Sequence, residues 1–375
     1  GALNNPHLLH SQPCFSVKSS ELEQLRSKID DIDRDVTRLL NDRVRASAEI
    51  GRIKNERGLD PYDPAREEEV FRKLEKLNEG LLESATLRTI YREVISASIA
   101  LQKDLQIGYL GPEATFTHQA AIKNFGSALS YKPLSDIPDV FREVERSACD
   151  YGVVPVENST EGAVNRSLDL LVDTELTIIA QVYLKIEHCL LSASPLDKIE
   201  KVSSKDQALA QCGEWLRRNL PAARLENATS TAEAVRTAKG ASGTAAIAGT
   251  LAGRLYDVPC IAEGIQDHKD NLTRFLVVGR KSLAQREDIE YKTSLVLSLT
   301  DKVSALQEGL KPFSDRGINL CKIESRPSRL KPWDYYFFVD FLGHRDDEPV
   351  SEAVAELEKV CPFVKCLGSY PNTSS

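Results

Sequence analysis

The 375-residue chain is too long for one ordinary core and long enough for two or three domains. With 41% hydrophobic and 28% charged residues it has a soluble globular composition, and no apolar run reaches membrane-spanning length. A net charge of -8 without a basic block argues against nucleic acid as the main partner. Six histidines with no HxxxH or HExxH pair argue against a metal site. The eight cysteines are scattered, without CxxC spacing, which suits the reduced thiols of a cytoplasmic protein.

Residues 1–19 carry no apolar signal core and read as a disordered tail. Residues 20–103 read as helix throughout. Leu22, Leu25, Ile29, Ile32, Val36 and Leu39 step by three and four, and the stripe continues through Arg43, Ala46, Ile50 and Ile53. A helix from Ser20 to Arg57, stopping at Gly58, would be roughly 55 Å long. That length predicts pairing with a second chain. A second helix is capped by Asp63 with Pro64 in its first position, and a third runs from Ser84 to Lys103.

Charges interrupt this helical pattern. Arg43 falls on the apolar stripe, where a charge is costly without a partner. It reads either as a snorkelling surface arginine or as an anion clamp inside a bundle. Lys54 lies near the same face, roughly 16 Å along the axis, so the two side chains could bracket one small ligand. Arg26 is too far along to serve that ligand from the same helix. Ser98 and Gln102 are four apart and share a face.

The stretches LRSKIDDID, LLNDRVRASAEIGRIK, YDPAREEEV and SASIALQ, in this order, resemble the all-helical chorismate mutase family. The resemblance implies an intertwined dimer converting chorismate to prephenate. It implies that Arg26 of the partner subunit, Arg43 and Arg66 face the substrate carboxylates. Asp63 and Glu67 would hold the hydroxyl side, Lys54 and Gln102 would approach the ether oxygen, and Ser98 would line the pocket. A pericyclic rearrangement needs no nucleophile and no cofactor. It needs a dianion held in a compact chair and donors for the charge that builds on oxygen.

From Leu105 to Arg280 short apolar runs alternate with helical stretches, an α/β pattern. GPEATFTHQAA follows a strand and opens a helix near Thr115 and Thr117. VPVENSTEGAV is read the same way, with Asn158, Ser159 and Thr160 at a helix start. Each reads as an ordinary cap taken alone; together they suggest a pocket for a carboxylate. NLTRFLVVG sets Thr273 and Arg274 where a buried strand begins.

These stretches resemble prephenate dehydratase over 106–280, with the Thr-Arg-Phe signature at Thr273, Arg274 and Phe275. The resemblance implies two α/β lobes like a periplasmic binding protein, with the site between them. Thr273 would be the catalytic hydroxyl and Arg274 the partner of a substrate carboxylate. Thr115, Phe116, Asn158, Ser159, Thr160 and Phe275 would line the rest.

Residues 281–291 read as a charged linker, and 292–375 as strand-helix-strand-strand-helix-strand, a ferredoxin-like α+β unit. This unit resembles the ACT regulatory domain of the dehydratases, which implies phenylalanine as effector. Glu324, Ser325, Arg326 and Pro327 form the ESRP motif. Ser304, Ala305 and Leu306 stand where Gly-Ala-Leu is usual, and the serine adds a side chain where ligand backbone would approach. The whole reads as a bifunctional enzyme of phenylalanine synthesis, assembled as a homodimer or dimer of dimers. Arogenate in place of prephenate stays open. A pure sensor of aromatic acids is the alternative of another class, and Thr273 and Lys54 argue against it, since sensing needs neither.

Overall fold

The computed structural model describes residues 15–328 and 335–373. The chain divides into two compact units, residues 1–59 and 60–375. The expected tail lies outside the described residues as far as residue 14, and residues 15–19 are already helical.

The first unit is built on one helix, α1 (Phe15–Glu56), five residues longer at its start than the apolar stripe indicates. Its stripe of Leu22, Leu25, Ile29, Ile32, Val36 and Leu39 is solvent-exposed. The helix ends in a Schellman turn. Gly58 has φ +65°, Leu59 N–H donates to the Lys54 carbonyl (2.9 Å), and Gly58 N–H donates to that of Asn55 (3.1 Å).

The second unit begins with α2 (Pro64–Leu77) and α3 (Ser84–Ala100). Asp63 caps α2 by accepting from the Arg66 N–H at 3.0 Å. Tyr62, Phe71, Ile95 and Ile99 enter the same core as Ile107, Phe125 and Val153 of the following α/β region. Each such burial contributes roughly 1.5–3 kcal/mol. The second compact unit starts at Asp60, so α2 and α3 pack with the α/β region that follows them.

The α/β region has two lobes. The first holds β1 (Gln106–Leu110), α4 (Phe116–Phe125), β2 (Ser130–Leu134), α5 (Ile137–Glu145), β3 (Tyr151–Asn158), β4 (Gly162–Ala163), α6 (Asn165–Asp173) and β5 (Thr177–Lys185). The second holds β6 (Cys189–Leu191), β7 (Lys201–Ser204), α7 (Asp206–Gln211), α8 (Gly213–Asn219), β8 (Arg224–Asn227), α9 (Thr231–Lys239), β9 (Thr244–Ala248), α10 (Thr250–Tyr256) and β10 (Cys260–Ala262). The chain then returns to the first lobe as β11 (Leu272–Gly279). The strand orders are β2-β1-β3-β11-β5, with β4 on β3, and β10-β6-β9-β7-β8. β11 runs antiparallel between β3 and β5.

The C-terminal unit is β12 (Tyr291–Ser298), α11 (Ala305–Asp315), β13 (Leu320–Pro327), β14 (Tyr335–Leu342), α12 (Glu348–Val360) and β15 (Phe363–Pro371), in the order expected. Its antiparallel sheet, β13-β14-β12-β15, has two buried faces. Leu295, Leu297, Val339 and Phe341 share a core with Phe313 of α11 and Leu357 of α12. Val296, Phe338, Leu367 and Tyr370 join Ile178, Leu276 and Val278 of the first lobe. At Gly368 (φ +148°) an added Cβ would collide with the Ile178 carbonyl oxygen. Gly368→Ala is therefore expected to lower stability by about 1–3 kcal/mol, read as a lower thermal midpoint of the full chain.

Residues 281–291 are docked rather than loose. Arg286 pairs with Asp63 (2.6 Å) and Glu69 (3.6 Å), Arg72 donates to the Asp288 carbonyl, and Gln285 donates to Asp347. Charge alone reads as a linker when its partners lie far away in sequence.

Candidate active site

Two chain crossings join the lobes, at 186–188 and at 263–271. They are tied together where Ile186 N–H donates to the Asn271 carbonyl (2.8 Å) and Ile265 N–H to that of His188 (3.0 Å). Between the lobes lies a cleft of about 780 Å³. Lobe one contributes Thr115, Phe116, Asn158, Asn271, Thr273 and Phe275 to it.

Strand geometry places the central pair. β3 and β11 are neighbours with Thr273 opposite Asn158 and Arg274 opposite Glu157. Side chains alternate between faces, so Thr273 and Asn158 share the cleft side. The Asn158 amide is oriented without ambiguity. Its Oδ1 accepts from the N–H groups of Thr160 (2.9 Å) and Glu161 (3.1 Å). Its Nδ2 therefore faces Asn271 Oδ1 (2.6 Å) and Thr273 Oγ1 (2.8 Å), donating to both. Thr273 Oγ1 receives a hydrogen from Asn158, which leaves its own hydrogen to donate into the cleft.

The second lobe adds residues that sequence reasoning did not single out: Lys205, Gln207, Gln211, Ser230, Arg236 and, at the crossing, His188. The N-terminus of α4, capped by Thr115, and that of α9, capped by Ser230, both border the cleft. Two helix N-termini with Lys205 and Arg236 make an environment suited to a dianion. Lys205 to Gln211 lie at the turn from β7 into α7 and along that helix.

Gln211 links the lobes. Its Nε2 donates to the Glu161 carboxylate (2.9 Å), so its Oε1 faces His188 Nε2 (2.8 Å). That fixes the imidazole with its proton on Nε2. Burial lowers the pKa of His188, against a smaller opposing effect of Gln211. Burial also lowers that of His118, whose Nδ1 accepts from the Ala114 N–H (3.1 Å). The unfolded imidazoles titrate near ~6.5, so below that pH the unfolded chain binds more protons than the fold. This contribution to stability is complete above about pH 6.5 and is lost as pH falls toward the depressed folded values. The thermal midpoint should drop between about pH 7 and 5.5, with a shallower drop in His118→Asn, read by calorimetry across that range.

Several expected placements are corrected. Arg274 does not enter the cleft. It lies on the opposite face of β11, buried at 6% exposure, donating to Asp340 (2.5 Å) and the Tyr370 hydroxyl (2.7 Å). Burial alone would lower its pKa, but Tyr370 and Asp340 outweigh that and raise it. A residue next to Thr273 in a strand must face the other way. Asn158, Ser159 and Thr160 do not open a helix; Asn158 ends β3, Ser159 and Thr160 begin the turn to β4, and α6 begins only at Asn165. Ser159 and Thr160 stand outside the cleft lining. The Ser159 hydroxyl is spent on the start of β11, accepting from the Leu272 N–H (2.9 Å) and donating to the Asp270 carbonyl (3.2 Å).

Of the expected mutase residues, Arg26, Arg43 and Lys54 lie on α1 in the first unit. Asp63, Arg66, Glu67, Ser98 and Gln102 lie in the second. There Asp63 divides its oxygens between the cap of α2 and Arg286. Glu67 is buried and pairs with Arg92, and Arg66 pairs with Glu69 (2.8 Å). The Ser98 hydroxyl donates to the Val94 carbonyl (2.8 Å), and Gln102 lies in the turn beyond α3.

The expected effector residues do not share one face. On β13, Glu324 and Arg326 turn inward while Ser325 and Pro327 are exposed. Arg326 forms a two-pronged pair with Asp169 of α6 (2.5 and 2.7 Å). Ser304 sits just before α11 at φ +66°, a conformation that favours glycine, followed by Ala305 and half-exposed Leu306. Among the described residues no cluster of His, Cys, Asp or Glu is placed to hold a metal, and no helix is long and apolar enough to cross a membrane.

The chorismate mutase type II family matches residues 25–103 and the prephenate dehydratase family residues 107–283. A bifunctional chorismate mutase/prephenate dehydratase of Aquifex aeolicus is 45% identical over 94% of this chain and 98% of its own length. One from Neisseria gonorrhoeae is 44% identical over 92% of this chain and 96% of its own. The crystal structure of an Arthrobacter aurescens prephenate dehydratase in complex with L-Phe superposes with a TM-score of 0.66 at 33% identity, over 72% of this chain and 90% of that one. The chain belongs to the bifunctional chorismate mutase/prephenate dehydratase family.

Proposed function

We propose that the chain converts chorismate to prephenate in its helical region, and prephenate to phenylpyruvate, carbon dioxide and water in the interlobe cleft. In the second reaction the bond to the ring carboxylate breaks and its electron pair enters the ring. The 4-hydroxyl leaves with its bonding pair and takes up one proton as water. Aromatisation drives both events. Thr273 donates a hydrogen bond to the departing oxygen, and the α4 and α9 termini with Lys205 and Arg236 hold the carboxylates. The orientation of the Asn158 amide carries this reading, because it turns Thr273 into a donor. Threonine is a weak acid, so its role is positioning through a hydrogen bond as much as proton delivery.

In the rearrangement, Arg43, Arg66 and Arg26 of the partner subunit hold the carboxylates, and Lys54 and Gln102 face the ether oxygen. Ser98 lines the pocket. Asp63 and Glu67 serve the hydroxyl side by sharing the carboxylates now paired with Arg286 and Arg92. The exposed stripe of α1 supports a homodimer, since a second copy of the helix would cover it. The C-terminal unit acts as a phenylalanine sensor of the ACT type, which the L-Phe complex of the Arthrobacter aurescens relative supports. Adding chorismate to the purified protein, with and without phenylalanine, tests all three parts. Phenylpyruvate suppressed by phenylalanine is expected. Accumulating prephenate would remove the dehydratase assignment, and unsuppressed phenylpyruvate would remove the sensor.

A further inference from the structure

The face of β3 and β11 turned away from the cleft carries charges that the dehydration does not touch. Arg274 binds Asp340 of β14 and Tyr370 of β15, and the second Asp340 oxygen accepts from Ser294 of β12 (2.5 Å). Opposite Arg274 in the strand pairing stands Glu157, 3.8 Å from its guanidinium and 2.9 Å from Lys322 of β13. The next rung of the same ladder is Thr273 with Asn158. Each member of the cleft pair thus has a chain neighbour anchored in the C-terminal sheet. The space around Arg274 is walled by Val156, Leu276, Phe338 and Leu367. A guanidinium there cannot leave Asp340 without stranding a buried charge.

We propose that Arg274 and Glu157 are positioning residues that hold Thr273 and Asn158 at their 2.8 Å contact, with Asp340 and Lys322 as anchors in the C-terminal unit. The inference rests on the reading of Thr273 as the donor to the leaving hydroxyl. A shift of the C-terminal sheet then reaches Thr273 as a shift of the β11 backbone, without passing through the cleft. Lys322 lies on the same strand as Glu324 to Pro327, so a disturbance of that strand has a short route to Asn158.

The test is steady-state kinetics of the full-length protein carrying Asp340→Asn, Arg274→Lys or Lys322→Gln. Asp340→Asn should lower dehydratase kcat roughly tenfold or more with KM for prephenate within about twofold, because a displaced donor is lost in the transition state rather than in binding. Arg274→Lys keeps the charge but loses the fork, and should show the same split. Mutase activity of the same samples should be unchanged. A rise in KM at constant kcat in Arg274→Lys would make Arg274 a substrate ligand and overturn the proposal. If Asp340→Asn fails to fold, Lys322→Gln decides, since its pair sits at a sheet edge; a wild-type kcat there would overturn it. Thr273→Ala is measured alongside. Retained dehydration in that variant would overturn the Thr273 reading and this inference together. Lost dehydration there, with wild-type kcat in Asp340→Asn and Lys322→Gln, would remove the inference alone.

Discussion

Thr273→Ala is expected to lower dehydratase turnover by about 10²–10⁴-fold while mutase activity of the same molecules stays intact. The substitution removes the hydroxyl and the γ-methyl of a buried side chain. Asn158 Nδ2 keeps its second acceptor, Asn271 Oδ1, so no buried donor is stranded. Loss of one hydrogen bond and one buried methyl together costs about 2 kcal/mol of stability, too little to unfold the chain. The rate effect therefore reports the chemistry. Thr273→Ser should retain much of the rate, because it keeps a hydroxyl that can accept from Asn158 and donate onward. Asn158→Asp should behave like Thr273→Ala for a different reason. A carboxylate oxygen in place of Nδ2 would draw the threonine hydrogen to itself and away from substrate. Phenylpyruvate formation from prephenate is the assay. Equal loss of both activities in Thr273→Ala would indicate a folding defect and sink the assignment.

Much of this fold is legible in the sequence, and the gaps have one physical cause. Strands at sheet centres, such as β9 with Ala245 to Ala248 and β11 with Phe275 to Val278, are buried on both faces and stand out as apolar runs. The strands that the pattern does not reveal are β2, β8 and β10, all at sheet edges, and the two-residue β4. Edge strands such as Ser130–Leu134 and Arg224–Asn227 are partly exposed, so no alternation marks them. The start of α1 is hidden similarly, because Phe15 to Ser19 do not extend the stripe.

The site divides along the same line. Thr273, Asn158, Thr115 and Phe116 are found because their segments carry a recognisable pattern. Arg274 is misplaced because a motif gives neighbours in sequence, whereas a strand sends neighbours to opposite faces. Arg326 and Ser325 part company on β13 for the same reason. His188, Lys205 and Arg236 belong to the cleft only through the closing of the second lobe over the first, and nothing local announces that.

Lys54→Ala should be the mirror image of the threonine variant, cutting mutase activity by about 10²–10³-fold and leaving dehydration untouched. The rearrangement has no proton to move, so its catalysis lies in orientation and in charge placed beside the breaking C–O bond. A lysine is a compact positive charge, suited to an oxygen that becomes negative only in the transition state. The helix end fixes the backbone of this residue. Lys54 stands two residues before the end of α1, and its carbonyl closes the Schellman turn with Leu59. That turn uses backbone atoms and survives the substitution, and alanine is the best helix former. Losing a cation near a helix C-terminus costs about 0.3–1 kcal/mol of stability, far less than the expected change in rate. Gln102→Ala should cause a smaller loss, and because an amide does not titrate, that group adds no acidic limb to the mutase pH profile. Residues 1–59 pack as their own unit, so prephenate turnover in Lys54→Ala serves as the internal control. A variant that kept full mutase activity would remove Lys54 from the ether oxygen and leave Gln102 as the donor to test next.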